Sequence, residues 1–322
     1  MRRKSEERMA TTKEIKNRIK SVRDTQKITN AMYLISSTKV TKAKRELEQT
    51  RPYFDMLKEQ LVSMIRLADN LKTDYLIASR PDETALEIMD EEGPRGTVGI
   101  IVITADKGLC GAYNQNVIKE AGKLIKEGEP HKLFVIGEYG RHYFMAHDDS
   151  LDQNFDYSNM DPTMDRAREI GDYVIDEFDE DRVQKLYIVY TAFGNGLTGG
   201  AAQSTELLPF AREDYVLDGE DRKKMSEGTE YLPDVVTVFN SIVPSYIKGF
   251  IYSAMVESFC SEQSARMTAM DAANDNAEDL LTSLNLEYNH VRQGAITREI
   301  TEISAGSRAQ KKAKALKKVR QK

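Results

Sequence analysis

The chain holds 322 residues, 40% of them hydrophobic and 30% charged, which is material for one large or two small domains and excludes a disordered polymer. No run of 18 apolar residues occurs, and the start MRRKSEERMATTKEIK lacks the apolar stretch of a secretory leader, so neither a membrane span nor export is expected. The net charge of -6 conceals an asymmetry: Lys and Arg crowd both chain ends while acids fill DETALEIMDEEG, DEFDED and DGEDR, so the basic ends are expected to touch something acidic.

A first long helix is expected from about Thr12 to the residues before Pro52. Ile15, Ile19, Val22, Ile28, Met32 and Ile35 draw an apolar stripe, while Lys13, Lys16, Arg18, Lys20, Arg23, Lys27 and further basic residues to Arg45 take the other faces. So narrow a stripe suits a coiled-coil seam. Helical pattern resumes in YFDMLKEQLVSMIRLADNL, with Pro52 kinking the helix if it continues. SRPDETALEIMDEEGPRG then reads as a surface linker.

The middle alternates strand and helix. GTVGIIVIT, HKLFVIG and VQKLYIVYTAF read as strands, NQNVIKEAGKLIKEG and EYGRHYFMAH as helices, and Asp161 as the N-cap of a helix with Pro162 in its first turn and TMDRAREIGDYVIDEF after it. QSTELLPF, after a glycine-rich turn, reads as a strand ending at Pro209. Short crossovers between such elements define a Rossmann-like α/β domain.

From about Ser245 the pattern is helical again. Ala277, Leu281, Leu284, Tyr288, Val291 and Ala295 keep the spacing of a seam, and Ile296, Ile300 and Ile303 extend an apolar side. Some sixty such residues at about 1.5 Å each make a helix of roughly 90 Å, too long to bury in one domain. Its seam needs a partner, and the first helix has a matching stripe. The fold class expected is therefore α/β, with a long antiparallel two-helix coiled coil of the N- and C-terminal helices and an inserted Rossmann-like α/β domain. The divisions are 1–9, an extension; 10–75, the first coiled-coil helix; 76–96, a linker; 97–244, the α/β domain; 245–309, the second helix; and 310–322, a basic tail.

No catalytic constellation emerges. GNGLTGG satisfies G-x-G-x-x-G at Gly194, Gly196 and Gly199, but a strand rather than a helix follows, so a hairpin turn accounts for the glycines better than a dinucleotide site. TADKGLCGAYN has Gly108 and Gly111 in only a G-x-x-G, with Lys107 ahead of them, and reads as a strand-to-helix turn. His131, His142, His147 and His290 form no metal or triad spacing. Cys110 and Cys260, far apart and without redox or metal spacing, read as small buried apolar residues. The basic residues of the first helix ring an apolar seam with no aromatics interleaved among them for base stacking, so nucleic-acid binding is a second reading and is not expected.

TKEIKNRIKSVRDTQKITNAMYLISSTKVTKAK, ITADKGLCGAYNQNVIK, KLFVIGEYGRHYF, SEQSARMTAMDAANDNAEDLL and EYNHVRQGAITREITEI together resemble the γ subunit of the F-type ATP synthases, in order from about Ala10 to Gly306. The resemblance implies a non-catalytic central rotor stalk. Its coiled coil stands in a ring of α and β subunits, and its α/β foot rests with ε on the membrane c ring. The chain itself would bind no nucleotide or cofactor. It also implies roles by position. Met32 and Arg266 match positions associated with coupling, and Arg292, Gln293 and Thr297 of RQGAIT match polar contacts to β. Arg18, Lys20, Arg23 and Lys27 are candidates to face an acidic loop of β. Tyr231 and Asp234 of EYLPD are candidates to meet the c ring. The absence of a transit peptide favours a protein peripheral to the bacterial cell membrane, on its cytoplasmic face.

The sequence departs from the family in four places. Gly294 interrupts RQGAIT, where a glycine weakens a helix by about 1 kcal/mol, so a locally softer tip is expected. Leu232 replaces a commonly acidic residue of the foot. The first residues precede the usual start, making Met9 a candidate initiator, and the tail QKKAKALKKVRQK follows the usual ending. That tail is expected either as disorder or as an extra helical turn or two, and two readings stay open for it: steadying the stalk by charge, or a dispensable solvated tail. The cysteine pair of the chloroplast form is absent, so thiol regulation is not expected.

Overall fold

The computed structural model describes residues 12–67, 71–77, 96–125, 129–193, 200–215 and 231–320. In chain order these form α1 (Thr12–Leu67), β1 (Leu76–Ile77), β2 (Val98–Ile103), α2 (Tyr113–Leu124), β3 (His131–Ile136), α3 (Glu138–His147), α4 (Met164–Asp179), β4 (Lys185–Thr191), β5 (Ala202–Leu208), β6 (Phe210–Ala211), a 3₁₀ turn (Arg212–Tyr215) and α5 (Val235–Arg320). The chain divides into two compact units, one of the residues up to Tyr33 with those from Met270, the other of Leu34–Ala269.

In the larger unit, β2, β3 and β4 carry unbroken apolar runs because both faces of a parallel sheet are covered. The sheet order is β3-β2-β4-β5. The first three strands are parallel, and β5 pairs antiparallel with β4 from Leu186↔Leu208 to Thr191↔Ala202. That pairing bears out the strand expected to end at Pro209; Gly194, Gly196 and Gly199 themselves lie outside the described residues. Alternate strand residues feed two cores. Ile100, Val102, Val135 and Val189 meet Val117 and Ala121 of α2. Ile101, Ile103, Ile136 and Ile188 join Ile170 and Val174 of α4, together with Leu61 and Met64 of α1 and Val243, Ile247 and Ile251 of α5. The two-residue strands β1 and β6 pair parallel beside them.

Three expectations about helix boundaries are corrected. Helix α1 runs through Pro52; the one hydrogen bond a proline removes is outweighed by burial of Ala43, Leu61, Met64 and Ile65 on either side of it. Helix α5 begins at Val235 rather than Ser245 and contains Pro244. Its start is set by Asp234, whose carboxylate accepts from the Thr237 amide (2.9 Å) and hydroxyl (2.7 Å). Asp161 is not an N-cap: it sits at φ 51, and Thr163 caps α4 by accepting from the Arg166 amide at 3.3 Å. The apolar part of α5 is long enough to cross a bilayer by length and composition, yet Phe239, Val243, Ile247, Ile251, Met255 and Phe259 are buried inside the unit.

The apolar stripe of α1 is corrected as well. Buried and half-buried positions run Ile15, Ile19, Val22, Gln26, Thr29, Tyr33, Ser36, Val40, Ala43 and Leu47, alternating four and three apart as in a heptad seam. Ile28 and Ile35 each fall one residue short of a seam position and are 62% and 57% exposed.

Two consequences can be measured. A Cβ at Gly249 of α5 would overlap the Phe54 ring of α1, so Gly249→Ala should lower stability by about 1–3 kcal/mol, read as an earlier urea transition by circular dichroism. His131 opens β3 with Nδ1 at 3.0 Å from the Glu129 carbonyl and Nε2 at 2.9 Å from Asp148. Both neighbours are acceptors, so only the doubly protonated ring satisfies both. Burial opposes the cation, but the bonds to Asp148 and Glu129 outweigh it and raise the pKa above the ordinary 6.5. Burial likewise opposes the Asp148 anion, and the bonds from His131 and Ser150 hold it below 3.8. The raised pKa gives stability that is full below pH 6.5 and lost as pH rises through the folded value; the lowered one gives stability lost as pH falls below 3.8. The advantage of the unsubstituted chain over His131→Gln should therefore be largest between these limits and shrink on either side.

Candidate functional site

The connection from β2 leads to β3 on one side, and the connection from β3 returns to β4 on the other. The carboxyl ends of β2 and β4 thus form the switch point where a doubly wound sheet ordinarily leaves a crevice for a ligand. Here the chain fills that crevice itself. Ser258 of α5 accepts from the Thr191 amide at 3.1 Å, and Ser261 donates to the Ala192 carbonyl at 3.2 Å. Glu257 accepts from the Phe193 amide at 3.2 Å. Arg266, only 7% exposed, donates through Nη1 to Glu262 at 2.6 Å. Its Nη2 donates to the carbonyls of Lys107 (3.2 Å) and Gly108 (3.0 Å) in the turn after β2. Burial raises the Glu262 carboxyl pKa against the pull of Arg266.

This polarity is the reverse of a phosphate cradle, which presents N–H groups; the TADKGLCGAYN turn offers carbonyls to a guanidinium. Asn114 closes the turn by accepting from the Ala105 amide at 2.9 Å. Among the described residues no group of His, Cys, Asp and Glu is arranged to hold a metal ion. Cys110 and Cys260 are both buried, as expected, and burial pushes the Cys260 thiol up to about 12, where it is protonated and unreactive.

In the smaller unit, Ile15 and Ile19 of α1 pack with Leu284 of α5, flanked by Val22, Leu281, Tyr288 and Val291. The Thr29 hydroxyl donates to Asn274. Rising numbers on one helix meet falling numbers on the other, so the pair is antiparallel. Met270, Asn274, Ala277, Leu281, Leu284, Tyr288 and Val291 alternate four and three apart, matching α1.

The residues singled out by sequence fall in different settings. Arg18, Lys20, Arg23 and Lys27 are exposed on the outer faces of α1, Lys27 pairing with Asp24 at 3.2 Å. Met32 is half-buried beside the seam. Arg292, Gln293 and Thr297 are exposed, the Thr297 hydroxyl donating to the Gln293 carbonyl at 2.9 Å. The helix continues through Gly294. Arg266 is the exception, committed to the crevice. Tyr231 packs against the core, its hydroxyl buried without a hydrogen-bond partner among the described residues, and Asp234 caps α5 with its carboxyl pKa lowered by the Thr237 bonds. Sequence reading missed Ser258, Ser261 and Glu262. The Glu-x-x-x-Arg spacing of SEQSAR is the signal that pairs the last of these with Arg266.

The family described as ATP synthase matches residues 11–309. The ATP synthase gamma chain of Acetivibrio thermocellus is 39% identical, over 94% of this chain and the whole of that protein. The sodium ion specific gamma chain of Acetobacterium woodii is 33% identical, over 92% of this chain and 97% of that protein. A chain from the Euglena gracilis mitochondrial ATP synthase shares the fold, with a TM-score of 0.56 at 18% identity, over 91% of this chain and 94% of that one. This chain belongs to the family of ATP synthase gamma chains.

The seam defines one test. Leu284→Ala should cost the smaller unit about 2–4 kcal/mol, seen as faster amide exchange around Ile15–Val22 and Ala277–Val291 in the full chain. Exchange in β2, β3 and β4 should be unchanged.

Proposed function

We propose that this chain is the central rotor stalk of a rotary F-type ATP synthase, turning inside a ring of alternating α and β subunits and resting with ε on the membrane c ring. The observation that carries this reading is the antiparallel seam of Ile15, Ile19 and Leu284. It pairs two helices along one stripe, their other faces being mostly charged or polar with a few exposed apolar residues such as Ile28 and Ile300, and among the described residues no His, Cys, Asp and Glu are grouped to hold a metal ion. The chain makes and breaks no bonds. Ion flow turns it, and its asymmetric outline presents a different face to each β subunit, so that the catalytic sites differ in conformation at any instant. A deep energy well at one angle would stall such a rotor, which favours contacts that are exposed and polar or smoothly apolar.

On this reading Arg292, Gln293 and Thr297, with Met32, engage β. Arg18, Lys20, Arg23 and Lys27 face its acidic loop, and the segment at Tyr231 and Asp234 lies toward the c ring. The protein is non-catalytic by itself and peripheral to the membrane, on the cytoplasmic face in a bacterial cell, in keeping with its bacterial relatives. The basic tail, with α5 continuing to Arg320, steadies the stalk by charge at the far end of the ring.

The test is purification of the tagged chain with its partners. Recovery of α, β and ε with ATP hydrolysis, one tagged chain per ring, is expected; a free homodimer, or a lone chain carrying nucleotide, would overturn the rotor. In the assembled enzyme, Arg292→Ala should lower the ions pumped per ATP hydrolysed severalfold, because it removes a charge-assisted contact to β. Deleting residues 311–322 and finding unchanged hydrolysis and pumping would remove the tail from this account.

A further inference from the structure

We propose that the switch-point crevice of the sheet, the place where this fold ordinarily takes a ligand, serves here as a torque socket. Arg266, positioned by Glu262, keys α5 to the turn after β2, while Ser258 and Ser261 key it to the end of β4.

The argument rests on directionality. Apolar packing is non-directional, so a helix held only by Val243, Ile247 and Ile251 against other apolar side chains resists being pulled away more than it resists rolling about its own axis. Hydrogen bonds to the backbone of fixed strand ends weaken steeply with angle and oppose that roll. The crevice concentrates them. Ser258 and Ser261 are fully buried and bonded to Thr191 and Ala192. Arg266 spreads its fork over three acceptors, Glu262 and the carbonyls of Lys107 and Gly108. Glu262, 5% exposed, and Arg266, 7% exposed, ride on the same helix, so a roll keeps that pair together but carries the buried guanidinium off the Lys107 and Gly108 carbonyls and leaves buried donors and acceptors unpaired, which is unfavourable. The contact is therefore held at one angle rather than sliding through several. Helix α5 continues without interruption beyond Ala269, so a turn imposed on the sheet is passed to the helix at these side chains. Arg266 is on this view a positioning residue inside the rotor and not a contact to β.

The proposal rests on the rotor reading, and the experiment separates the two. Assembled enzyme carrying each variant is placed in sealed vesicles, and ATP hydrolysis and ATP-driven ion pumping are measured together, with the unfolding temperature of each full chain measured alongside. Arg266→Lys keeps a cation for Glu262 but loses the fork onto the two carbonyls; pumping per ATP should fall about threefold with the unfolding temperature close to that of the unsubstituted chain. Glu262→Gln combined with Arg266→Met removes both buried charges together, so stability should recover relative to Arg266→Met alone, while pumping per ATP stays at least threefold low. If coupling returns with stability in the double variant, or if Arg266→Lys pumps at the full ratio, the crevice contacts are packing only and the socket is overturned. If the unsubstituted chain fails to assemble with α and β, it is the rotor reading that has failed, and the socket with it.

Discussion

Two helices of 56 and 86 residues dictate the rest of the structure, because a helix in water gains little from its own hydrogen bonds and must bury a stripe against something. Each solves the problem with a seam alternating four and three residues. On α1 the seam faces α5 at Ile15 and Ile19, and from Ala43 to Ile65 it contributes to the core of the larger unit. A single periodicity thus serves two different surroundings. The sheet, the crossovers and the caps are arranged around this need, most plainly where α5 passes over the ends of β2 and β4.

Polar residues inside these apolar contacts do a job the apolar ones do not. Thr29 and Asn274 occupy half-buried seam positions that leucine would fill with more burial, but a polar pair in a seam penalises every register except the one that satisfies it. Ser258, Ser261, Glu262 and Arg266 impose the same kind of choice on the larger unit, where the crevice could have accepted many orientations of a purely apolar helix. Stability comes from the isoleucines and valines, and uniqueness of alignment from these few hydrogen bonds.

The strands were readable from sequence because GIIVI, LFVI and LYIV are unbroken apolar runs with few alternatives. The helix limits were less so. The pattern ends one helix before Pro52 and resumes beyond it, and starts the last helix near Ser245, yet burial on both sides of Pro52 and Pro244 keeps each helix whole, a tertiary effect that local pattern does not contain. The apolar stripe misled for a related reason: Ile28 and Ile35 count as hydrophobic, while Gln26, Thr29 and Ser36, which occupy the seam, do not. Glu262 and Arg266 stand four apart, a spacing that signals a pair although the sequence reading passed over it, and the Lys107 and Gly108 carbonyls that accept from Arg266 lie far away in the chain. The Thr29–Asn274 bond spans 245 residues, beyond any local rule. Family resemblance placed Arg266 among the residues of coupling; its burial places it inside the molecule.

Past Val291 the apolar pattern of α5 changes. Continuing the Tyr288 and Val291 series gives positions 295, 298 and 302, whereas the isoleucines stand one or two positions on, at Ile296, Ile300 and Ile303, and are exposed. One position on a helix is about 100° of rotation, so this row looks in a different direction from the seam it follows. Apolar side chains make no directional bond, so a row of this kind offers no latch at one angle to whatever covers it. The same row is bare in an unassembled copy, where it invites self-association. A cell that makes this chain therefore has reason to have its sleeve ready first.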